Sequence, residues 1–125
     1  MFKNKLLIVA DDWEALEVYE NRLSSDFNVI TAAFGKEGVK AAKEKIPDVI
    51  FVDLVFEDMH ASEFCTLLRA EEKTANIPIL VVLNKDEEKF KQPHFPKKQD
   101  SVFVRPYLFE DLVLQLKKMH TIQLR

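Results

Sequence analysis

Five short apolar runs rich in β-branched residues punctuate the chain, at Leu6–Ala10, Asn28–Ala32, Val49–Val52, Ile77–Leu83 and Val102–Val104. A strand that is apolar along its length, rather than at every second residue, is buried on both faces, which is the habit of parallel sheets. The segments between the runs carry apolar residues at helical spacing: Leu16, Tyr19 and Leu23; Val39, Ala42 and Ile46; Phe64, Leu67 and Leu68; and, at the end, Leu112, Leu116 and Met119. Strand and helix therefore alternate, and the pattern predicts one open α/β sandwich, a five-stranded parallel sheet with helices on both faces. At 125 residues the chain has room for one such domain. The fourth crossover, residues 84–99, breaks the pattern. It reads NKDEEKFKQPHFPKKQ, with Pro93 and Pro96 and no clear apolar stripe, so the fourth helix is expected to be short or irregular and to end by about Lys91.

Several functions are excluded by what the chain lacks. Its two glycines, Gly35 and Gly38, are too few for a glycine-rich cradle of the dinucleotide or P-loop kind. The formal net charge of −3 offers no basic field, which argues against direct nucleic-acid binding. Cys65 is the single cysteine, so neither an internal disulfide nor a multi-cysteine zinc site can form, and a reducing compartment is expected. His60, His94 and His120 show no metal-ligand spacing. No apolar run approaches the ~20 residues of a membrane helix and the N-terminus leads directly into a strand, so no membrane association and a cytoplasmic location are expected.

In an open α/β sheet the ligand site lies beyond the carboxyl ends of the strands. Asp11 and Asp12 follow the first run, Asp53 the third, and Arg105-Pro106 the fifth. If the first and third strands are neighbours, the carboxylates converge on one crevice, where their mutual repulsion is costly unless a divalent cation is shared. An all-oxygen set with waters suits Mg²⁺, so the cluster predicts a magnesium site. Asp12 has a simpler reading as the cap of the first helix, and Asp53 one as a carboxylate turned to solvent. Asp53 nevertheless interrupts an apolar stretch, VIFVDLVF, where an unpaired carboxylate is expensive.

Taken together, LLIVADD at 6–12, AAFGKEG at 32–38, IPDVIFVDLVFEDM at 46–59, IPILVVL at 77–83 and VRPYLFEDL at 104–112 resemble the receiver domain of two-component response regulators. The order and spacing of these motifs carry the resemblance, which spans essentially the whole chain. It implies a flavodoxin-like fold with strand order 2-1-3-4-5, over residues 1–120 with a short tail at 121–125. It also implies that Asp53 is the phosphoacceptor, Asp11 a direct Mg²⁺ ligand with Asp12 beside it, and Asp53 and the Val55 backbone carbonyl further ligands. A histidine kinase or phosphotransfer protein is the partner so implied. A carboxylate nucleophile must meet a phosphoryl donor whose charge repels it, and a cation with a nearby guanidinium offsets that repulsion.

Four positions depart from the family pattern. Ala10 stands where an acid is usual, Arg105 where a Lys is usual, Leu83 where a Thr or Ser is usual, and Val102 where an aromatic is usual, with Phe103 adjacent. Leu83 has no hydroxyl to offer a phosphoryl group, which predicts a non-standard switch; Asn84 turned into the crevice, with Leu83 turned away, would restore the ordinary coupling. Gly35 is expected in the turn before the second helix. The fourth crossover and last helix carry Phe90, Phe95, Leu108, Phe109 and Leu114, a candidate surface for a homodimer or partner. Two alternatives stand beside a phosphorylated receiver: a phosphorylation-independent scaffold, and an aspartate-nucleophile phosphatase of the haloacid dehalogenase type. The last needs a second acid two residues on, and Trp13 and Val55 occupy those places after Asp11 and Asp53.

Overall fold

The computed structural model describes residues 3–54, 59–85 and 96–122. In chain order the elements are β1 (Asn4–Ala10), α1 (Trp13–Leu23), β2 (Phe27–Ala33), α2 (Gly35–Lys45), β3 (Val49–Asp53), α3 (Ala61–Arg69), β4 (Ile79–Leu83), β5 (Ser101–Val104) and α4 (Phe109–Ile122). The strands form one sheet in the order β2-β1-β3-β4-β5, and every neighbouring pair is parallel. This is the open α/β sandwich that the alternation of runs predicts, in the flavodoxin-like strand order that the resemblance implies. Residues 86–95 of the fourth crossover, including Phe90 and Phe95, lie outside the described residues, as does Val55. The last helix continues to Ile122, into the segment expected as a tail.

Successive strand residues point to opposite faces, and each face has its own core. Leu7, Val9, Ile50, Val52, Ile79, Val81 and Leu83 pack with Ala42 of α2 and with Phe64, Cys65 and Leu68 of α3. Leu6, Ile8, Ala10, Val49, Phe51, Leu80 and Val82 pack with Leu16 and Leu23 of α1 and with Leu112, Leu116 and Met119 of α4. The near-continuous apolar runs are thus the signature of a sheet whose two faces are both covered.

Three local expectations are corrected by the packing. Ile46 does not join the buried stripe of α2. It terminates the helix in a left-handed conformation (φ 45°) and is exposed. Leu67 is likewise exposed, and Cys65 takes the third place on the buried stripe of α3. Gly35 is not a turn residue but the first residue of α2, and neither glycine has a positive φ. Close approach explains both. A Cβ at Gly38 would stand 2.6 Å from Cγ1 of Val9, and one at Gly35 would stand 2.7 Å from Cβ of Met59. Burial pushes the Cys65 thiol up to about 12, which keeps it protonated and inert.

At the edge of the sheet away from the strands' carboxyl ends, Arg69 and Asp100 form an ion pair with both side chains out of water. Arg69 Nη2 donates to the two Asp100 carboxylate oxygens at 2.5 and 2.6 Å, and Nη1 donates to the carbonyls of Ala75 and Ile77 at 3.0 and 2.9 Å. The Asp100 carboxylate also accepts from the backbone N–H groups of Ile79 and Lys97, at 2.8 and 2.9 Å. The pair ties the end of α3, the entry to β4 and the entry to β5 into one knot. Removing one partner strands the other charge in the interior, a loss of about 3–5 kcal/mol. Asp100→Ala is therefore expected to lower the urea midpoint by that much stability, and an unchanged midpoint would contradict the role given to the knot.

Candidate functional site

Strand parity decides which side chains meet at the carboxyl edge of the sheet. Asp53 ends β3 in phase with Val49 and Phe51, so its carboxylate leans to the α1/α4 side. Ala10 pairs with Asp53 across β1 and β3, so Asp11 follows at the same edge; both Asp11 and Asp53 are buried. The sheet register thus sets Asp11 and Asp53 at adjacent strand ends. Asp12, one residue on, caps α1, and its side chain accepts from the Glu14 N–H at 3.2 Å. The capping reading of Asp12 is therefore realised, and the solvent-facing reading of Asp53 is not.

Arg105 reaches the site from the end of β5, where its backbone N–H donates to the Leu83 carbonyl at 2.9 Å and extends the β4–β5 ladder. The Arg105–Pro106 peptide is cis. The guanidinium donates through Nη2 to Oδ1 of Asp53 in a close ion pair and through Nη1 to Oδ1 of Asn84 at 3.2 Å. Leu83 is turned into the α2/α3 core and takes no part. Asn84, one residue later, is exposed, and its side-chain oxygen accepts from Arg105. Val102 faces the α2/α3 core, while Phe103 lies on the other face and meets the Tyr107 ring edge-on at 5.6 Å between centroids.

Two residues of the site carried no assigned role in the sequence. Tyr19 of α1 donates its hydroxyl to Oδ2 of Asp53 at 2.7 Å, and its oxygen lies 3.1 Å from the Tyr107 hydroxyl. The single proton of Tyr19 is committed to the carboxylate, so Tyr107 is the donor of that second bond. The Tyr19 ring packs edge-on against Phe51 at 4.7 Å. A phenol in an otherwise aliphatic helix stripe is the signal that could have found it, since a buried Tyr hydroxyl needs a partner. Burial, then the Asp53 charge, hold the Tyr19 phenol far above its ordinary value, and burial also raises Tyr107. Burial works against the charge on Arg105, but the hydrogen bond and charge of Asp53 outweigh it and raise its affinity for the proton. At neutral pH the cluster is one guanidinium and two intact phenols around the Asp53 carboxylate.

A response regulator receiver domain model matches residues 6–117, nearly the whole chain, from within β1 into α4. The chain belongs to the receiver domain family. The receiver is 36% identical over 87 residues to the alkaline phosphatase synthesis transcriptional regulatory protein PhoP of Bacillus subtilis, covering 68% of this chain and 35% of that protein. It is 26% identical over 118 residues to Histidine kinase P4 of Formosa agariphila, covering 94% of this chain and 8% of that one. The receiver thus spans well under half the length of these curated relatives. Its backbone is similar to that of the chemotaxis response regulator CheY4 of Vibrio cholerae, with a TM-score of 0.79, 25% identity, and coverage of 94% of this chain and 98% of that one.

The residues present fit a magnesium ion in chemistry. Asp11 and Asp53 supply hard carboxylate oxygens from adjacent strand ends, and Mg²⁺ characteristically takes one or two carboxylates and completes its shell with carbonyl and water oxygens. Among the described residues no three His, Cys, Asp or Glu side chains gather as a ligand set. The pairing of Arg105 with Asp53 is open to a direct check. In a double-mutant cycle of Arg105→Met and Asp53→Asn, the two changes are expected to couple by about 2 kcal/mol in chemical denaturation, because either single change leaves a half-buried or buried charge unmatched. Additive losses would mean that the pair contributes nothing.

Proposed function

We propose that this receiver is a signalling module, not an enzyme acting on a metabolite, and that it accepts a phosphoryl group on Asp53 from a histidine kinase or phosphotransfer protein. The observation that carries the reading is the Asp53 carboxylate, held almost out of water at the carboxyl end of the central strand against the Arg105 guanidinium, with Asp11 at the adjacent strand end. An Asp53 oxygen attacks the phosphorus of the donor as the bond to the donor's imidazole nitrogen breaks and its electron pair returns to that ring. The product is an acyl phosphate. Arg105 offsets charge on the transferring oxygens and orients the nucleophile. Asp11, Asp12, Asp53 and the Val55 carbonyl would hold Mg²⁺, which when bound supplies neutralisation of the charge that opposes the donor's approach.

The readout is non-standard. Leu83 and Val102 lack the hydroxyl and the aromatic ring that usually couple phosphorylation to the surface, and Leu83 is spent on the core. A change of state needs contacts that differ between states. Arg105, with Asn84 on one side and the tyrosine pair on the other, is the group here that can supply them. Signalling then passes through protein contacts, for which Leu108, just before α4, and Leu114 within it are exposed, while Phe109 is half-buried under the Arg22 guanidinium.

A second reading has an observation in its favour. Both Asp53 oxygens already hold protein donors, and Ala10 removes one acid, as suits a scaffold that works without phosphorylation. Mg²⁺ with acetyl phosphate separates the two. The phosphoacceptor reading predicts one acid-labile phosphoryl group per chain that is absent from Asp53→Asn, and a change in the fluorescence of the exposed Trp13 as Mg²⁺ is added. No label and no fluorescence response at millimolar Mg²⁺ would establish the scaffold, and label persisting in Asp53→Asn would move the acceptor elsewhere.

A further inference from the structure

Arg105 accounts for one oxygen of Asp53, and Tyr19 covers the other. The Tyr19 hydroxyl has two partners within reach: Oδ2 of Asp53, to which it donates at 2.7 Å, and the Tyr107 hydroxyl 3.1 Å away. We propose that Tyr19 is a positioning residue that clasps Oδ2 in the resting receiver, and that phosphoryl transfer to Asp53 requires its hydroxyl to turn from that oxygen to Tyr107. The inference rests on Asp53 being the phosphoacceptor and adds which oxygen reacts and what holds it back.

The chemistry follows from which lone pairs are free. With Arg105 on Oδ1 and Tyr19 on Oδ2, each oxygen spends electron density on a protein donor, and a carboxylate so engaged is a weaker nucleophile. The Tyr19 ring packs edge-on against Phe51, and the change of partner takes a small tilt of that ring toward Tyr107, because the hydroxyl and carboxylate oxygens repel at 2.7 Å once no proton lies between them. When Tyr19 donates to Tyr107, Oδ2 is uncovered while Arg105 keeps the carboxylate aimed. Oδ2 then forms a bond to the phosphorus of an acyl phosphate donor as the bond from phosphorus to the donor's carboxyl oxygen breaks. The electron pair leaves on the released carboxylate, and no proton is gained or lost in the step. Tyr19 keeps its proton throughout and exchanges one acceptor for another, while the proton of Tyr107 turns to water. Tyr107 is half-exposed, so that exchange leaves no buried donor without a partner.

The two phenols therefore have opposite effects. Tyr19→Phe removes the clasp and leaves the ring packing intact. Tyr107→Phe removes the alternative acceptor and leaves Tyr19 with Asp53 alone. Initial rates of labelling by acetyl phosphate with Mg²⁺, followed by intact mass, measure both. Labelling is expected to be on the order of tenfold faster in Tyr19→Phe, since a hydrogen bond to a charged group is lost, and roughly fivefold slower in Tyr107→Phe. Asp53→Asn is expected to stay blank. A role in packing alone would move the two variants in the same direction, and that result overturns the clasp. Labelling of Tyr19→Phe at or below the wild-type rate, with Asp53→Asn blank, also overturns it and leaves Asp53 the acceptor. If wild type and Tyr19→Phe are equally blank, the phosphoacceptor reading fails and the clasp fails with it.

Discussion

A parallel sheet covered on both faces leaves a polar side chain one place to stand, at its edges, and any charge that stands there half in the core has to be matched. Asp53 is such a charge: 2% exposed, at the end of the central strand, in phase with the core residues Val49 and Phe51. An isolated carboxylate in that position costs far more than a single domain can spare. The rest of the site follows from that constraint. Arg105 extends from the end of β5 to meet one oxygen, Tyr19 rises from α1 to meet the other, and Asn84 and Tyr107 stand behind those two donors. At the opposite edge the same problem has the same kind of answer, with the buried Arg69–Asp100 pair also hydrogen-bonded to backbone groups on both sides.

The fold was legible because its signal is spread over many residues. Runs that are apolar almost throughout read as strands covered on both faces, and the parity of each strand then assigns its residues to the two cores. Errors fell where one residue decides. Nothing in the local sequence says that Ile46 ends α2 in a left-handed conformation, since a β-branched residue is the one least expected there. Gly35 reads as a turn residue in a chain with so few glycines, whereas it and Gly38 are small because their helix lies against Met59 and Val9. Arg69 and Asp100 gave no sign of their pairing, because an ion pair bridging distant segments leaves no periodic trace.

The acidic half of the candidate site was legible for a related reason. Asp11 and Asp53 interrupt or close apolar runs, and Arg105 precedes a proline at a strand end, so each breaks a pattern. Tyr19 breaks none. It sits at a proper position in the α1 stripe and satisfies the pattern as a hydrophobe, while its hydroxyl does something the pattern does not encode. Asn84 was foreseen only as what would have to compensate for Leu83, and the parity of β4, which sends Leu83 into the α2/α3 core, is what places it beside Arg105. Of the departures from the family pattern, Arg105 joins the cluster around Asp53 with two phenols and an amide, while Leu83 and Val102 pack into the α2/α3 core.

The central claim is that Asp53 reacts through an oxygen that Tyr19 covers at rest. The most direct measurement is a crystal structure of the receiver with Mg²⁺ and beryllofluoride, an analogue of the phosphoryl group. The account predicts the adduct on Oδ2 of Asp53, Arg105 still paired with the aspartyl group or the adduct, and the Tyr19 hydroxyl turned to Tyr107. An unmodified Asp53 with Tyr19 still seated on Oδ2 at saturating reagent would contradict it.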